Sequence, residues 1–141
     1  MKIILPTDGS EASIASMRNF LPRLAWFAVP PELALLHVHP ALPYARAVAW
    51  AGKEAVHKYY EDESTAVLDA ASNALASSGA SIARVMRVGD PAHEICKYAS
   101  EWHADLIAMG TKGHGALAAV LLGSVAQKVI ATSAIPVLLL Q

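Results

Sequence analysis

The residues best suited to chemistry lie at Gly110-Thr111-Lys112-Gly113-His114-Gly115. Three glycines in six residues let a backbone approach a ligand without Cβ clashes. Ten residues after Gly113 come Gly123 and Ser124, which read as the opening of a helix. A helix N-terminus carries unpaired N–H groups and a partial positive charge, which suits a phosphate. The Ser124 hydroxyl could bond a phosphate oxygen or simply cap the helix. Charge placement agrees. Asp105 is the last acidic residue, and residues 106–141 hold Lys112, Lys128 and His114 but no acidic side chain. A glycine-rich turn between strand and helix also occurs with no ligand at all, and that alternative stands beside the phosphate reading.

Two better-known phosphate motifs do not describe this segment. There is no G-x-x-x-x-G-K-[ST], which excludes a Walker P-loop. Gly113-x-Gly115-x-x-Ala118 fits the loose dinucleotide pattern, but it follows the fourth apolar run and lacks an acidic residue about 20 positions downstream. A second candidate group is Pro6-Thr7-Asp8-Gly9-Ser10. The Asp8 carboxylate accepts hydrogen bonds only and can take two from a ribose. Asp-Gly-Ser is also a good Asx-turn or helix cap.

The elements that must position these groups follow from the apolar pattern. Short continuous apolar runs at Ile3–Pro6, Leu33–Val38, Leu106–Met109 and Val137–Leu140 look like strands buried on both faces. Ile82–Val88 alternates with arginines and reads as a half-exposed strand. Between the runs lie helical stretches. The first starts after the N-cap Ser10, with Ile14, Met17, Leu21 and Leu24 on one stripe and a break expected at Pro22. The second spans roughly Lys53–Ser78, ended by Gly79. The third opens with Asp90-Pro91, and the fourth follows Gly123-Ser124 with Val125, Val129 and Ile130. The fold class expected is α/β: one open, mostly parallel five-stranded sheet with helices on both faces, formed by residues 1–141 as one domain. In such sheets ligands bind beyond the carboxyl ends of the strands, where strand order reverses. The connection His39–Gly52 is long for a compact domain, and reads either as a lid or partner surface or as a solvent loop with its aromatics tucked onto the core.

Composition narrows the function classes. Eleven basic against 12 acidic residues give a net charge of -1, which argues against a general nucleic-acid binder. A single cysteine, Cys96, rules out an internal disulfide or a cysteine metal cluster and suits a reducing compartment. Cys96 and His37 read as packing residues, and His57, His93 and His103 as surface residues on helices. Glu61-Asp62-Glu63 reads as a solvated face, and Tyr59 and Tyr60 as reaching either a dimer surface or the long connection. No uncharged tract reaches the roughly 18–20 residues of a membrane span. A soluble, cytoplasmic protein is expected.

The spacing G-x2-G-x9-G-S at Gly110, Gly113, Gly123 and Ser124 resembles the nucleotide-binding motif of the universal stress protein family. The likeness extends to Pro6–Ser10, Leu36-His37-Val38, Gly89–Ala92, Ala104–Gly110 and Ile135–Leu138. The resemblance implies the adenine nucleotide alpha-hydrolase-like fold and the ATP-binding branch. It places Asp8 on the ribose, with Pro6 or Thr7 on the same wall, and the Val38 main chain at the adenine edge. Met109, Gly110, Lys112, Gly113 and His114 would pass the ribose and phosphates, and Gly123, Ser124 and Val125 would hold phosphate oxygens. The family often carries a basic or polar residue between the second and third motif glycines, whereas Ala116–Leu122 is wholly apolar here. Triphosphate binding would then lean on backbone donors and on Mg2+ carried by the phosphates, and AMP or ADP could compete. No metal site from protein side chains and no catalytic residue is expected. The resemblance also implies a homodimer through Val137–Leu140, without nucleic-acid or membrane partners. The readings are an ATP-binding stress-response or signalling module, a slow Mg-dependent ATP hydrolase using His114, or an interaction protein that binds no nucleotide.

Overall fold

The computed structural model describes residues 1–76, 79–111 and 122–141, and the backbone alone for residues 44–47. The elements run β1 (Lys2–Thr7), α1 (Glu11–Phe20), a 3-10 turn (Leu21–Trp26), β2 (Glu32–His39), α2 (Tyr44–Ala51), α3 (Lys53–Leu75), β3 (Ile82–Val88), α4 (Pro91–Glu101), β4 (Leu106–Gly110), α5 (Ser124–Thr132) and β5 (Val137–Leu140). The five strands lie in the order β3-β2-β1-β4-β5, and every pairing is parallel.

Strand alternation sorts the apolar residues into two layers. Ile3, Leu5, Leu33 and Leu35 meet Ile14, Met17 and Phe20 of α1 and Leu68, Ala71 and Leu75 of α3. Ile4, Leu36, Val38, Ile107 and Met109 meet Ala92, Ile95 and Ala99 of α4 and Ala126 and Val129 of α5. Ile3, Ile4, Leu5, Leu35, Leu36 and Ile107 are each 0% exposed. Burying each such side chain is worth about 1.5–3 kcal/mol. That burial fixes the strand ends on which the candidate site is built.

The helix boundaries have local causes. Ser10 caps α1 through its side chain, which accepts from Ser13 N. The expected break at Pro22 takes the form of the 3-10 turn. The helix α3 spans Lys53–Leu75, and its expected end at Ser78 lies outside the described residues. Ile130, grouped with Val125 and Val129 in the sequence reading, turns outward and is 44% exposed. His103 stands just past α4 at φ 52 rather than on the helix.

The connection after β2 is not a structureless loop, because it contains the eight-residue helix α2. One end is tied down: the Tyr60 hydroxyl accepts from Leu42 N at 2.8 Å. Of the two places sequence left open for Tyr60, it reaches this connection. Trp50, near the other end, is 95% exposed. β3 is half exposed because it is a sheet edge, and its Arg84 and Arg87 pair with Asp69 and Glu101.

Candidate functional site

The candidate crevice lies where β1 is paired unequally with its two neighbours. On the β2 side the register runs the full length, from Lys2↔Glu32 to Thr7↔His37. On the β4 side only Ile3↔Leu106 and Ile4↔Ile107 pair. Past Ile4 the two strands part, although β1 runs on to Thr7 and β4 to Gly110. Pro6, just beyond the parting, has no N–H to continue a ladder. From β1 the chain crosses toward β2, and from β4 toward β5, so the parting is the topological switch point.

The β1 wall is held by its own hydrogen bonds. Thr7 Oγ1 accepts from Gly9 N at 3.1 Å and from Ser13 Oγ at 3.1 Å. Asp8 Oδ1 accepts from Ser10 N at 3.0 Å and Ser10 Oγ at 2.7 Å. The Asx-turn that sequence offered as the alternative role for Asp8 is therefore present. It is compatible with ligand contact, since a carboxylate has acceptor capacity for about four donors. Gly9 adopts φ +80, and a Cβ there would lie 2.9 Å from a γ-carbon of Val67 on α3. Backbone and packing both demand glycine at this position.

The β4 wall is built differently. Met109 and Thr111 are buried, and Thr111 N donates to Leu140 O at 3.1 Å. Gly123 N donates to Thr111 O at 2.7 Å, which draws together the two ends of the segment between them. Gly123 is the N-cap of α5 at φ -66 and ψ 154, and among the described residues no side chain caps the helix. By contrast Ser10 caps α1, and Asp90 caps α4 by accepting from His93 N at 3.0 Å. A Cβ on Gly123 would meet only Thr111 O, at an ordinary 3.5 Å. Neither the backbone nor the packing of the described residues demands glycine here. Ser124 is exposed and follows the cap position, so its hydroxyl does not serve as the helix cap. Val125 is half-buried against the second core layer.

Val38 is buried and lies one residue past the last β1–β2 pair, while its other edge pairs with Arg87 of β3. The structure thus brings Pro6, Thr7, Asp8, Val38, Met109, Gly110, Gly123, Ser124 and Val125 to the carboxyl end of the sheet. Lys112, Gly113 and His114 lie outside the described residues, as does most of the apolar stretch Ala116–Leu122.

Sequence reasoning took His37 for a packing residue only. It is buried, and its Nδ1 lies 2.9 Å from the carbonyl oxygen of Thr7. Burial is the main cause that lowers its pKa from 6.5; the Thr7 carbonyl opposes that, nearby His39 adds to it and Asp8 opposes it. The available signal was its parity with Leu33 and Leu35, which puts a polar ring on an inward face at the strand end. Among the described residues there is no group of three or more His, Cys, Asp or Glu side chains able to hold a metal ion.

Comparison with known proteins adds the following. The family model described as "Universal stress protein family" matches residues 1–141. Universal stress protein MJ0531 of Methanocaldococcus jannaschii is 32% identical over 140 residues, covering 99% of this chain and 81% of that protein. A solved structure described as hypothetical protein MJ0577, a test case for assigning biochemical function from structure, superposes with a TM-score of 0.77 at 31% identity, covering 99% of this chain and 94% of that one. A universal stress protein solved in complex with cAMP shares the fold with a TM-score of 0.68 at 24% identity, covering 100% and 96%.

Proposed function

The chain belongs to the universal stress protein family, and from that premise we propose that it binds an adenine nucleotide in the crevice between β1 and β4. The observation that carries this reading is the pairing of an unforced glycine with an uncapped helix start. Gly123 is small where nothing among the described residues requires it, and no described side chain caps the start of α5 beside it. Free amides at a helix N-terminus suit phosphate oxygens. Asp8 faces the ribose, the Val38 main chain reads the adenine edge, and Gly110, Gly123, Ser124 and Val125 take the phosphates. Lys112, Gly113 and His114 complete the phosphate side by their place in the motif. Mg2+ enters only with the phosphates.

The nucleotide serves as a signal in a cytoplasmic stress-response module. Mass spectrometry of the denatured, freshly purified protein should release ATP, ADP or AMP. Calorimetry with ATP, AMP and cAMP ranks the ligands. A protein that carries none and binds none of the three overturns the reading.

The same proposal includes a homodimer through β5. This strand is a sheet edge, with Leu138 and Leu139 each 39% exposed and no proline or charge to block pairing. An exposed apolar edge is an aggregation hazard that pairing with a second copy removes. Beside it lies a groove of about 470 Å³ in which Phe20, Trp26 and Phe27 face Leu138–Gln141. Light scattering should show a dimer that becomes a monomer when Leu138 and Leu139 are both changed to lysine. A dimer that persists in this variant excludes the strand as its interface.

A further inference from the structure

The nucleotide reading leaves one buried polar contact at the crevice without a purpose. Thr7 is the last residue of β1, and Thr7↔His37 is the last β1–β2 pair. At that point β4 has already parted from β1. A carbonyl at the end of such a ladder needs a donor, because an unsatisfied buried acceptor is costly. The structure supplies a side chain: His37 Nδ1 reaches Thr7 O at 2.9 Å. A carbonyl can only accept, so the ring must carry its proton on Nδ1.

The next residue after that carbonyl is Asp8. The turn it begins is held by the Thr7 and Asp8 side chains, through Gly9 N, Ser10 N and Ser10 Oγ. Those bonds fix the turn internally. Ser13 Oγ, which donates to Thr7 Oγ1 at 3.1 Å, joins the turn to α1. Gly9 packs over Val67 on one side, and the His37–Thr7 bond ties the turn to β2 on the other. The imidazole is itself braced. His39 stands edge-on to it at 6.4 Å between centroids, and His39 in turn packs on Tyr60 at 5.0 Å. Tyr60 is anchored through Leu42 N.

We infer that His37 is a positioning residue, whose Nδ1–H holds the Thr7 carbonyl and thereby sets where the Asp8 carboxylate stands in the crevice. It touches no nucleotide. The inference rests on the nucleotide reading for its consequence, but the positioning itself is testable in ligand-free protein.

Two substitutions separate the donor from the bulk. His37→Leu keeps a branched side chain without a donor. His37→Asn places an amide N–H the same number of bonds from Cα as Nδ1. Long-range proton–nitrogen spectra of the unmodified protein should show His37 protonated on Nδ1; a ring protonated on Nε2 overturns the inference. Loss of one hydrogen bond to a buried acceptor predicts that His37→Leu weakens ATP and AMP binding about tenfold and speeds exchange of the Gly9 and Ser10 amides about tenfold. His37→Asn should restore both to within about threefold of the unmodified protein, as a retained donor requires. Leucine leaving both readouts unchanged, or asparagine failing as badly as leucine, also overturns it. Should the unmodified protein bind no nucleotide, the proposed function falls, and amide exchange with the ring spectrum still decides the role of His37. Where the leucine variant does not fold, His37→Val takes its place with the same expected and overturning outcomes.

Discussion

Two helices begin at the crevice, α1 on the β1 side and α5 on the β4 side, and their starts are opposites. At α1, Ser10 caps the helix and Asp8 holds Ser10. Gly9 between them is locked by a positive φ and by Val67. At α5 the cap position is a glycine with an ordinary extended backbone, where a Cβ would make only an ordinary contact with Thr111 O among the described residues, and no described side chain bonds to it. One start uses its polar groups on itself; at the other, no described side chain meets the first amides of the helix. A glycine therefore means different things at the two places: conformation at Gly9 and, in the proposed reading, room for a ligand at Gly123.

Substitutions at the two glycines test that contrast most sharply. Gly123→Val should abolish nucleotide binding by calorimetry while the melting temperature moves by only a few degrees, as expected where the backbone is extended and no described residue crowds a Cβ. Gly9→Ala should do the reverse. A non-glycine residue at positive φ costs about 1–2 kcal/mol, and the contact with Val67 adds to it, so denaturant unfolding should show a loss of about 2–3 kcal/mol. Adding Val67→Ala should recover the contact part and leave the backbone part. If Gly123→Val unfolds the chain as Gly9→Ala does, the two glycines are alike and the comparison fails.

Smaller effects sharpen it. Ser10→Ala removes the cap of α1 and should cost about 1–2 kcal/mol by the same unfolding measurement. Ser124→Ala should leave stability within about 0.5 kcal/mol, because the exposed hydroxyl caps nothing, and should lower nucleotide affinity. The smallest effect is that of pH. Burial lowers the His37 pKa below 6.5, so the unfolded chain takes up a proton at a higher pH than the folded chain. Stability is then complete above pH 6.5 and declines as pH falls through 6.5 toward the folded value. Melting curves across that window should show the decline, and His37→Asn should flatten it.

The strands, the helices and their order were legible because they depend on local pattern. The continuous apolar runs Ile3–Pro6, Leu33–Val38 and Leu106–Met109 become buried parallel strands, whereas Val137–Leu140, which reads as buried on both faces, is a sheet edge with Leu138 and Leu139 each 39% exposed. Asp90-Pro91 opens α4 with Asp90 bonded to His93 N. The G-x2-G-x9-G-S spacing and the Asp8 segment were legible as candidate chemistry, and the structure brings their described residues to one end of the sheet. The helix inside the His39–Gly52 connection was not, because Pro40, Pro43 and Trp50 read as punctuation and an aromatic rather than as a helical stripe. The outward turn of Ile130 was not either, since a helix of nine residues offers too little periodicity to assign its rim.

The sequence by itself determined the α/β class, the two-layer core and which residue types could meet a phosphate, because these follow from short-range periodicity and side-chain chemistry. Tertiary structure alone decided that β1 parts from β4 after Ile4, that Val67 enforces Gly9 while nothing described enforces Gly123, and that the His37 ring stands within hydrogen-bond distance of the Thr7 carbonyl. Each of these is a distance between groups far apart along the chain. Such distances arise only when burial of the two apolar layers brings the strands side by side.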